Sequence, residues 1–337
     1  MDQFPEILLA GDARQRGESH GEQLREPIAE TLDYYRGLFG LGEQALREEA
    51  GHFAGIVRGF SADYAEEIES IARAASLDPL YVYALNSRSE IYNNASIGEC
   101  TAIFSEDSGV LGQNWDWSEP LEHLLVLARI EAENNHRVCT LTEPGIIGKI
   151  GMNSAGLGVC LNILKHPDSL SGLPVHVLLR ALLDCRNFAE AEQLLGMVSV
   201  GKASHVLVAD ATGNCASCEF AGTEAYRLSP SGGMFLHTNH YLAAEAAGSP
   251  DAFPTTRERM SRAQEMLAED SSRNGIELML RDQTRGEFSI CRPYSPSASP
   301  GFGKVGTVFS VIMDLDSLSM QVSRGPSLEQ TFYTVQV

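Results

Sequence analysis

Among the seven cysteines of this chain, Cys100 is placed where it can do chemistry. It opens the run Cys100-Thr101-Ala102-Ile103-Phe104, and Gly112-Gln113-Asn114-Trp115-Asp116-Trp117 follows after a short polar stretch. A cysteine that starts an interior strand, with a polar strand folded back beside it, has the form of a nucleophile made by cutting the chain. Cleavage of the Glu99–Cys100 bond frees an α-amine on Cys100. That amine can serve as base for the thiol of the same residue, so no histidine partner is needed. A terminal amine has a pKa of about 7.7–8.0 and a thiol about 8.5, so a proton passes between them easily near neutral pH.

A carboxylate is within reach of that amine. Glu106-Asp107-Ser108-Gly109 reads as a turn. A hairpin centred between residues 107 and 108 sets Cys100 opposite Trp115, with Asn114 and Asp116 beside it. Cross-strand neighbours lie about 5 Å apart, so Asp116 can hold and orient the amine. Pattern alone leaves open a buried cysteine with no reactive role, because Trp115 and Trp117 alternate with Asn114 and Asp116 as in any half-buried strand.

The elements that must position these residues follow from periodicity. The first hundred residues read as helices near 12–40, 43–58, 60–76 and 78–92. Gly17-Glu18-Ser19-His20-Gly21 either breaks the first of these or marks a close contact. Strands are expected at 100–105, 109–116, 123–131, 137–142, 147–152 and 157–163. Two helices follow, near 174–180 and 188–198, then strands at 204–210, 215–220, 224–228 and 234–238. A helix from about Thr255 to Ala268 begins with a threonine cap. The last hairpin joins 305–314 to 318–324, after a loop over 295–302. This order predicts two sheets between helical layers.

Bulk properties exclude several partners. The 337 residues are 43% apolar and 21% charged, ordinary for a globular protein. A formal net charge of −20 repels nucleic acid. No apolar run approaches the ~18 residues of a membrane span. Met1-Asp2-Gln3-Phe4-Pro5-Glu6 lacks the basic start of an export signal, and an odd cysteine count accords with reduced thiols, so a cytoplasmic location is expected. Cys215 and Cys218 form a lone CxxC without zinc-ligand company and read as strand cysteines; no metal or cofactor is expected.

Several segments together resemble the acyl-coenzyme A:6-aminopenicillanic acid acyltransferase family, a branch of the N-terminal-nucleophile hydrolases. They are Cys100-Thr101-Ala102, Gly112-Gln113-Asn114-Trp115-Asp116, the run from Thr142 to Gly151 continuing into Asn153-Ser154-Ala155-Gly156, Gly172-Leu173-Pro174, His237-Thr238-Asn239-His240, Glu258-Arg259-Met260 and Ser289-Ile290-Cys291-Arg292. The resemblance implies a four-layer αββα sandwich of two antiparallel sheets, made as a proenzyme. Residues 1–99 would become a mostly helical α chain and residues 100–337 a catalytic β chain, together one domain. It implies Cys100 as nucleophile, Asp116 as the residue orienting its amine, Asn239 as oxyanion donor, and the Asn162 backbone N–H as a second donor. Asn114, Arg257, Arg259 and Lys304 are candidates for substrate contact or support. His237 and His240 read as structural. Tyr92, Asn93 and the 295–302 loop are candidates for the pocket.

Two departures stand out. The family usually has glycine before the nucleophile; here Glu99 holds that place and Gly98 precedes it. Gly303-Lys304 stands where a Ser-Arg pair is expected, which argues against assuming penicillin synthesis. The expected activity is therefore hydrolysis of a linear amide of an N-acylated amine or amino acid through a thioester. The alternatives are acyl transfer from acyl-coenzyme A or penicillin to an amine, and a catalytically silent binding protein on the same scaffold. The expected partners are a small amide or acyl substrate and the chain's own two fragments; a homo-oligomer is left open.

Overall fold

The computed structural model describes residues 3–92, 99–132, 135–246, 248–297, 301–326 and 331–337. The chain opens with β1 (Glu6–Ala10), which periodicity did not reveal, and continues through α1 (Ala13–Gln23), α2 (Arg25–Phe39), α3 (Glu43–Phe60), α4 (Ala62–Ala75), α5 (Pro79–Asn86) and α6 (Arg88–Ile91). The expected 12–40 helix is two helices meeting at Leu24. The strands β2 (Cys100–Ser105), β3 (Val110–Ser118), β4 (Val126–Glu131), β5 (Arg137–Thr142), β6 (Ile150–Asn153) and β7 (Leu157–Ile163) follow, then α7 (Val175–Leu183) and α8 (Phe188–Met197). Next come β8 (Ser204–Asp210), β9 (Cys215–Ala221), β10 (Glu224–Leu228) and β11 (Met234–His237), then α9 (Thr256–Glu269) and α10 (Arg273–Leu280). The chain ends with β12 (Ser295–Pro296), β13 (Lys304–Asp314), β14 (Ser319–Arg324) and β15 (Tyr333–Gln336). Neither α10 nor β15 was expected, both being short and irregular in pattern.

The strands form two sheets. One runs β1-β4-β5-β6-β7-β8-β9-β10; the other runs β11-β2-β3-β13-β14-β15, with β12 on β13. The first is not wholly antiparallel, because β1 pairs β4 in parallel. The sheets pack face to face through residues such as Phe104, Leu111, Cys160, Leu207, Phe309 and Val311. The opposite face of the second sheet presents Ile103, Val110 and Ile312 to α9 and α10, where Ala263, Leu267, Ile276 and Met279 cover them. The α7 and α8 helices lie against β6 to β9. The result is a four-layer αββα sandwich, and its main core draws on residues from both sides of Cys100. Cys215 and Cys218, three apart in β9, face opposite sides of the sheet, and all seven cysteines are free.

The N-terminal helices are fixed to the strands by buried polar groups. Glu67 on α4 takes Arg16 at 2.8 Å and Arg180 on α7 at 2.7 Å. Asn86 accepts the Ile147 N–H and donates to the Gly145 carbonyl. His20 Nε2 accepts the Gly145 N–H at 3.0 Å. The glycines around His20 mark a close contact, the second of the two expectations: a Cβ on Gly17 would lie 2.4 Å from the Glu67 carbonyl oxygen, and one on Gly21 equally near that of Ile71.

Two predictions follow from this packing. Gly21→Ala drives α1 off α4 and lowers unfolding free energy by about 1–3 kcal/mol in urea titrations, the usual range for overpacking. Burial pushes the His20 imidazole down to about 4, so the fold holds it neutral. The unfolded chain takes up that proton near pH 6.5. Stability from this group is therefore complete above about pH 6.5 and declines as pH falls towards 4, by up to about 1.4 kcal/mol per pH unit. Other buried imidazoles share this window, His240 among them. Urea midpoints measured between pH 8 and 4.5 show the decline, and His20→Gln reduces its slope by about one proton.

Candidate active site

The hairpin register is the one counted from sequence: Cys100 pairs Trp115, and Thr101 pairs Asn114. Directly opposed residues share a face, so the Cys100 sulfur lies with Trp115 between the sheets, while the Asp116 carboxylate lies on the α9–α10 side. The backbone nitrogen of Cys100 sits in the sheet plane between them. Its N–H donates to Asn239 Oδ1 at 2.8 Å. On the other side of the same peptide bond, the Asp116 N–H donates to the Glu99 carbonyl oxygen at 2.7 Å. Both polar atoms of the Glu99–Cys100 linkage are thus held.

Asp116 Oδ1 accepts from the Thr307 hydroxyl at 2.5 Å, and Asp116 Oδ2 is buried with no hydrogen-bond partner. Burial pushes this carboxyl up to about 7; the Glu99 charge adds to the rise, while Arg259, Thr307 and Arg292 oppose it. Burial likewise pushes the Cys100 thiol up to about 12, helped by Asp116 and opposed by Arg259, Lys149 and a hydrogen bond from Gln113. At rest the buried thiol is a poor nucleophile.

Arg259, fully buried on α9, joins these groups. Its Nη1 donates to the Cys100 carbonyl at 2.7 Å and to the Thr101 hydroxyl at 2.9 Å, and its Nη2 donates to Asn239 Oδ1 at 2.7 Å. Its Nε lies 3.2 Å from Glu99 Oε2 and 3.2 Å from the Thr255 hydroxyl oxygen. Arg292 Nη1 lies 3.0 Å from Glu99 Oε1. Thr255 was expected to cap α9 and does not; its backbone is already helical and its hydroxyl donates to Glu99. Glu99 is consequently a buried carboxylate ringed by two guanidiniums and a hydroxyl. Gly98 lies outside the described residues.

Asn239 bridges the two sheets, since its Nδ2 donates to the Ile163 carbonyl at 2.9 Å and retains a second N–H. The 237–240 turn is held by buried partners: His237 Nε2 meets Glu219 at 2.7 Å, and the Asn239 N–H donates to Thr256. Asn162 is adjacent but differently committed. Its side chain binds His205 Nδ1 and the His237 carbonyl. Leu161 exchanges both its backbone bonds with the Gln113 side chain, so strand alternation turns the Asn162 amide toward β8 and the Ile163 amide toward Cys100. The Asn162 amide, expected from sequence to face the site, therefore points away from Cys100.

Three further candidates lie elsewhere. Asn114 Nδ2 donates to the Leu280 and Ile290 carbonyls and supports α10. Arg257, two residues from Arg259, points the other way on α9 and pairs with Asp251 on the surface. Lys304 is exposed and pairs with Glu119 at 3.3 Å.

On its sulfur side, Cys100 faces a cavity lined by Tyr35, Tyr92, Trp115, Trp117, Leu161 and Ile163, with Arg88, Lys149, His176 and Lys202. Tyr92 is there as expected; Asn93 lies outside the described residues. From the 295–302 loop, Phe302 packs edge-on against Trp117 and Tyr92, and residues 298–300 fall outside the described residues. Glu143 Oε2 holds Arg88 at 2.7 Å and Lys149 at 2.8 Å, and the Tyr35 hydroxyl donates to Oε1. These cations keep the Glu143 carboxyl well below the usual carboxylate range against its burial. The Lys149 ammonium also lies over the Trp115 ring. Lys149 and Arg88 were missed as site residues, although Lys149 sits in the Thr142–Gly151 segment; a lysine between two glycine-rich turns beside Glu143 was the available signal.

The model of the acyl-coenzyme A:6-aminopenicillanic acid acyl-transferase family matches residues 104–326, well over half of the chain. The acyl-coenzyme A:6-aminopenicillanic-acid-acyltransferase 40 kDa form of Emericella nidulans is 27% identical over 326 residues, covering 91% of this chain and 89% of the relative. Among solved structures, a conjugated bile acid hydrolase mutant from Clostridium perfringens aligns with a TM-score of 0.48 at 13% identity, covering 71% of this chain and 92% of that one. The N-acylethanolamine-hydrolyzing acid amidase ortholog of Caenorhabditis elegans aligns with a TM-score of 0.45 at 16% identity, covering 64% of this chain and 93% of that one. The chain belongs to the acyl-coenzyme A:6-aminopenicillanic acid acyl-transferase family.

Proposed function

We propose that this chain cuts its own Glu99–Cys100 bond and then works as an N-terminal-cysteine amidohydrolase on linear N-acyl amides. The observation that carries the reading is the grip on that one peptide: the Asp116 N–H on its carbonyl oxygen, Asn239 Oδ1 on its N–H, and an unpartnered Asp116 Oδ2 alongside. In the cut, Sγ adds to the Glu99 carbonyl carbon while the Asp116 N–H holds the oxygen. The C–N bond breaks as the nitrogen takes the thiol proton, leaving a thioester and an amine. Water then hydrolyses the thioester, which frees the Glu99 carboxyl and returns the thiol. Fragments of residues 1–99 and 100–337 result, and shared core packing keeps them together.

The mature cycle repeats this chemistry on a substrate. The α-amine, held by Asp116 and Asn239, takes the Cys100 proton and later gives it to the leaving amine. The spare Nδ2 hydrogen of Asn239 and the Ile163 amide are the proposed oxyanion donors. The aromatic lining beside the sulfur supports an apolar group on the substrate. Acyl transfer is the second reading, favoured by the acyltransferase named in Emericella nidulans. It differs only in an amine replacing water as acceptor.

The test begins on a denaturing gel. Purified wild type gives bands of about one-third and two-thirds of the mass, with Cys100 found as a new N-terminus by mass spectrometry; Cys100→Ala stays whole. Wild type that remains uncut after long incubation near neutral pH sinks the reading and favours a silent scaffold. Processed protein is then offered N-acyl amines, N-acyl amino acids, penicillins and acyl-coenzyme A thioesters, with and without an acceptor amine, by liquid chromatography. Asp116→Asn preserves an acceptor for Thr307, so the fold persists while turnover per processed molecule falls by about 10²-fold or more.

A further inference from the structure

Glu99 occupies a place that, once emptied, needs another anion. Its carboxylate is the buried counter-charge for Arg292 and Arg259 together, with the Thr255 hydroxyl as a third contact. Among the described residues Arg292 has a buried Nε without a hydrogen-bond partner, and its Nη2 donates to the Ser295 hydroxyl at 3.2 Å. The self-cleavage proposed above adds an ammonium at Cys100 and unties Glu99 from it, so that Glu99 can leave this place while the N-terminal helices stay packed in the shared core. Two guanidiniums and an ammonium would then share Asp116, and uncompensated buried charge of one sign is costly.

The covalent geometry says which part of a substrate brings the replacement. Transfer of the Glu99 acyl group from nitrogen to sulfur passes through a five-membered ring of N, Cα, Cβ, Sγ and the carbonyl carbon. The acyl carbon therefore stays beside the same residue, and the side chain behind it stays among the arginines. For that moment the chain is its own acyl-enzyme. From carbonyl carbon to side-chain carboxylate, glutamate has the skeleton of a glutaryl group. We propose that Arg292, Thr255 and Arg259 form a carboxylate subsite, and that the mature enzyme takes acyl groups ending in a carboxylate at the reach of glutaryl. This rests on the cleavage reading and names the substrate class of the same site. The aromatic cavity on the sulfur side is then left for the amine portion.

The experiment compares anilides of glutaric, glutaramic and pentanoic acids, using processed protein quantified by gel. The glutaryl anilide is cleaved with at least about tenfold higher kcat/KM than either neutral analogue, and free glutarate inhibits competitively where pentanoate does not. Arg292→Gln brings the glutaryl-to-pentanoyl ratio close to one. If that variant is not processed, the wild-type glutarate inhibition decides. Cys100-dependent turnover of the pentanoyl anilide with no glutaryl preference overturns the subsite and leaves the amidohydrolase reading standing. Cut protein that turns over none of the anilides and nothing in the broader panel overturns both.

Discussion

The site depends on one guanidinium with no access to water. Arg259 donates to the carbonyl of Cys100, to its neighbour Thr101 and to Asn239, and faces Glu99 and Thr255. A buried cation needs anionic or dipolar partners on every side. Its partners here come from four stretches of chain: the segment before β2, β2 itself, the turn after β11 and the start of α9. Their mutual placement is set by satisfying a single planar fork, whose geometry a flexible ammonium would not impose. The side chain of Asn239 is then fully directed, with its oxygen toward Cys100 and its nitrogen toward β7.

A second buried charge plays the matching part on the sulfur side. Glu143 sits between Arg88 from the helical N-terminal region and Lys149 from the approach to β6. Cys100 thus lies between two charge clusters, one on each face of the second sheet. The thiol and the Asp116 carboxyl lie on opposite faces of this sheet, with the Cys100 backbone nitrogen in its plane.

Much of this was legible as sequence. The β2–β3 register could be counted because a short polar turn joined two strands, and strand alternation has a strict period. The αββα layering followed from the order of helices and strands. Other features depended on contacts between distant segments. Arg257 and Arg259 look alike in the chain, but helix phase sends one to solvent and the other to the core. Thr255 has the form of a cap and is drawn instead to Glu99, 156 positions away. The break at Leu24 and the parallel strand β1 carry no local signal, since each is imposed by the surface it packs on. The facing of the Asn162 amide could not be read, because it is fixed by Gln113, from the other sheet.

The way β1 is woven in bears on the cleavage proposed above. This strand forms an edge of the eight-stranded sheet by pairing with β4, and the helices after it share a core with residues beyond 100. Were the chain severed ahead of β2, it would keep this interlocked shape without the covalent tether that first brought the pieces together. Renaturation would then change from a unimolecular search to an encounter of two polypeptides, dependent on concentration. Durability of the severed form is then set by how slowly it opens, because what opens has no intramolecular way back.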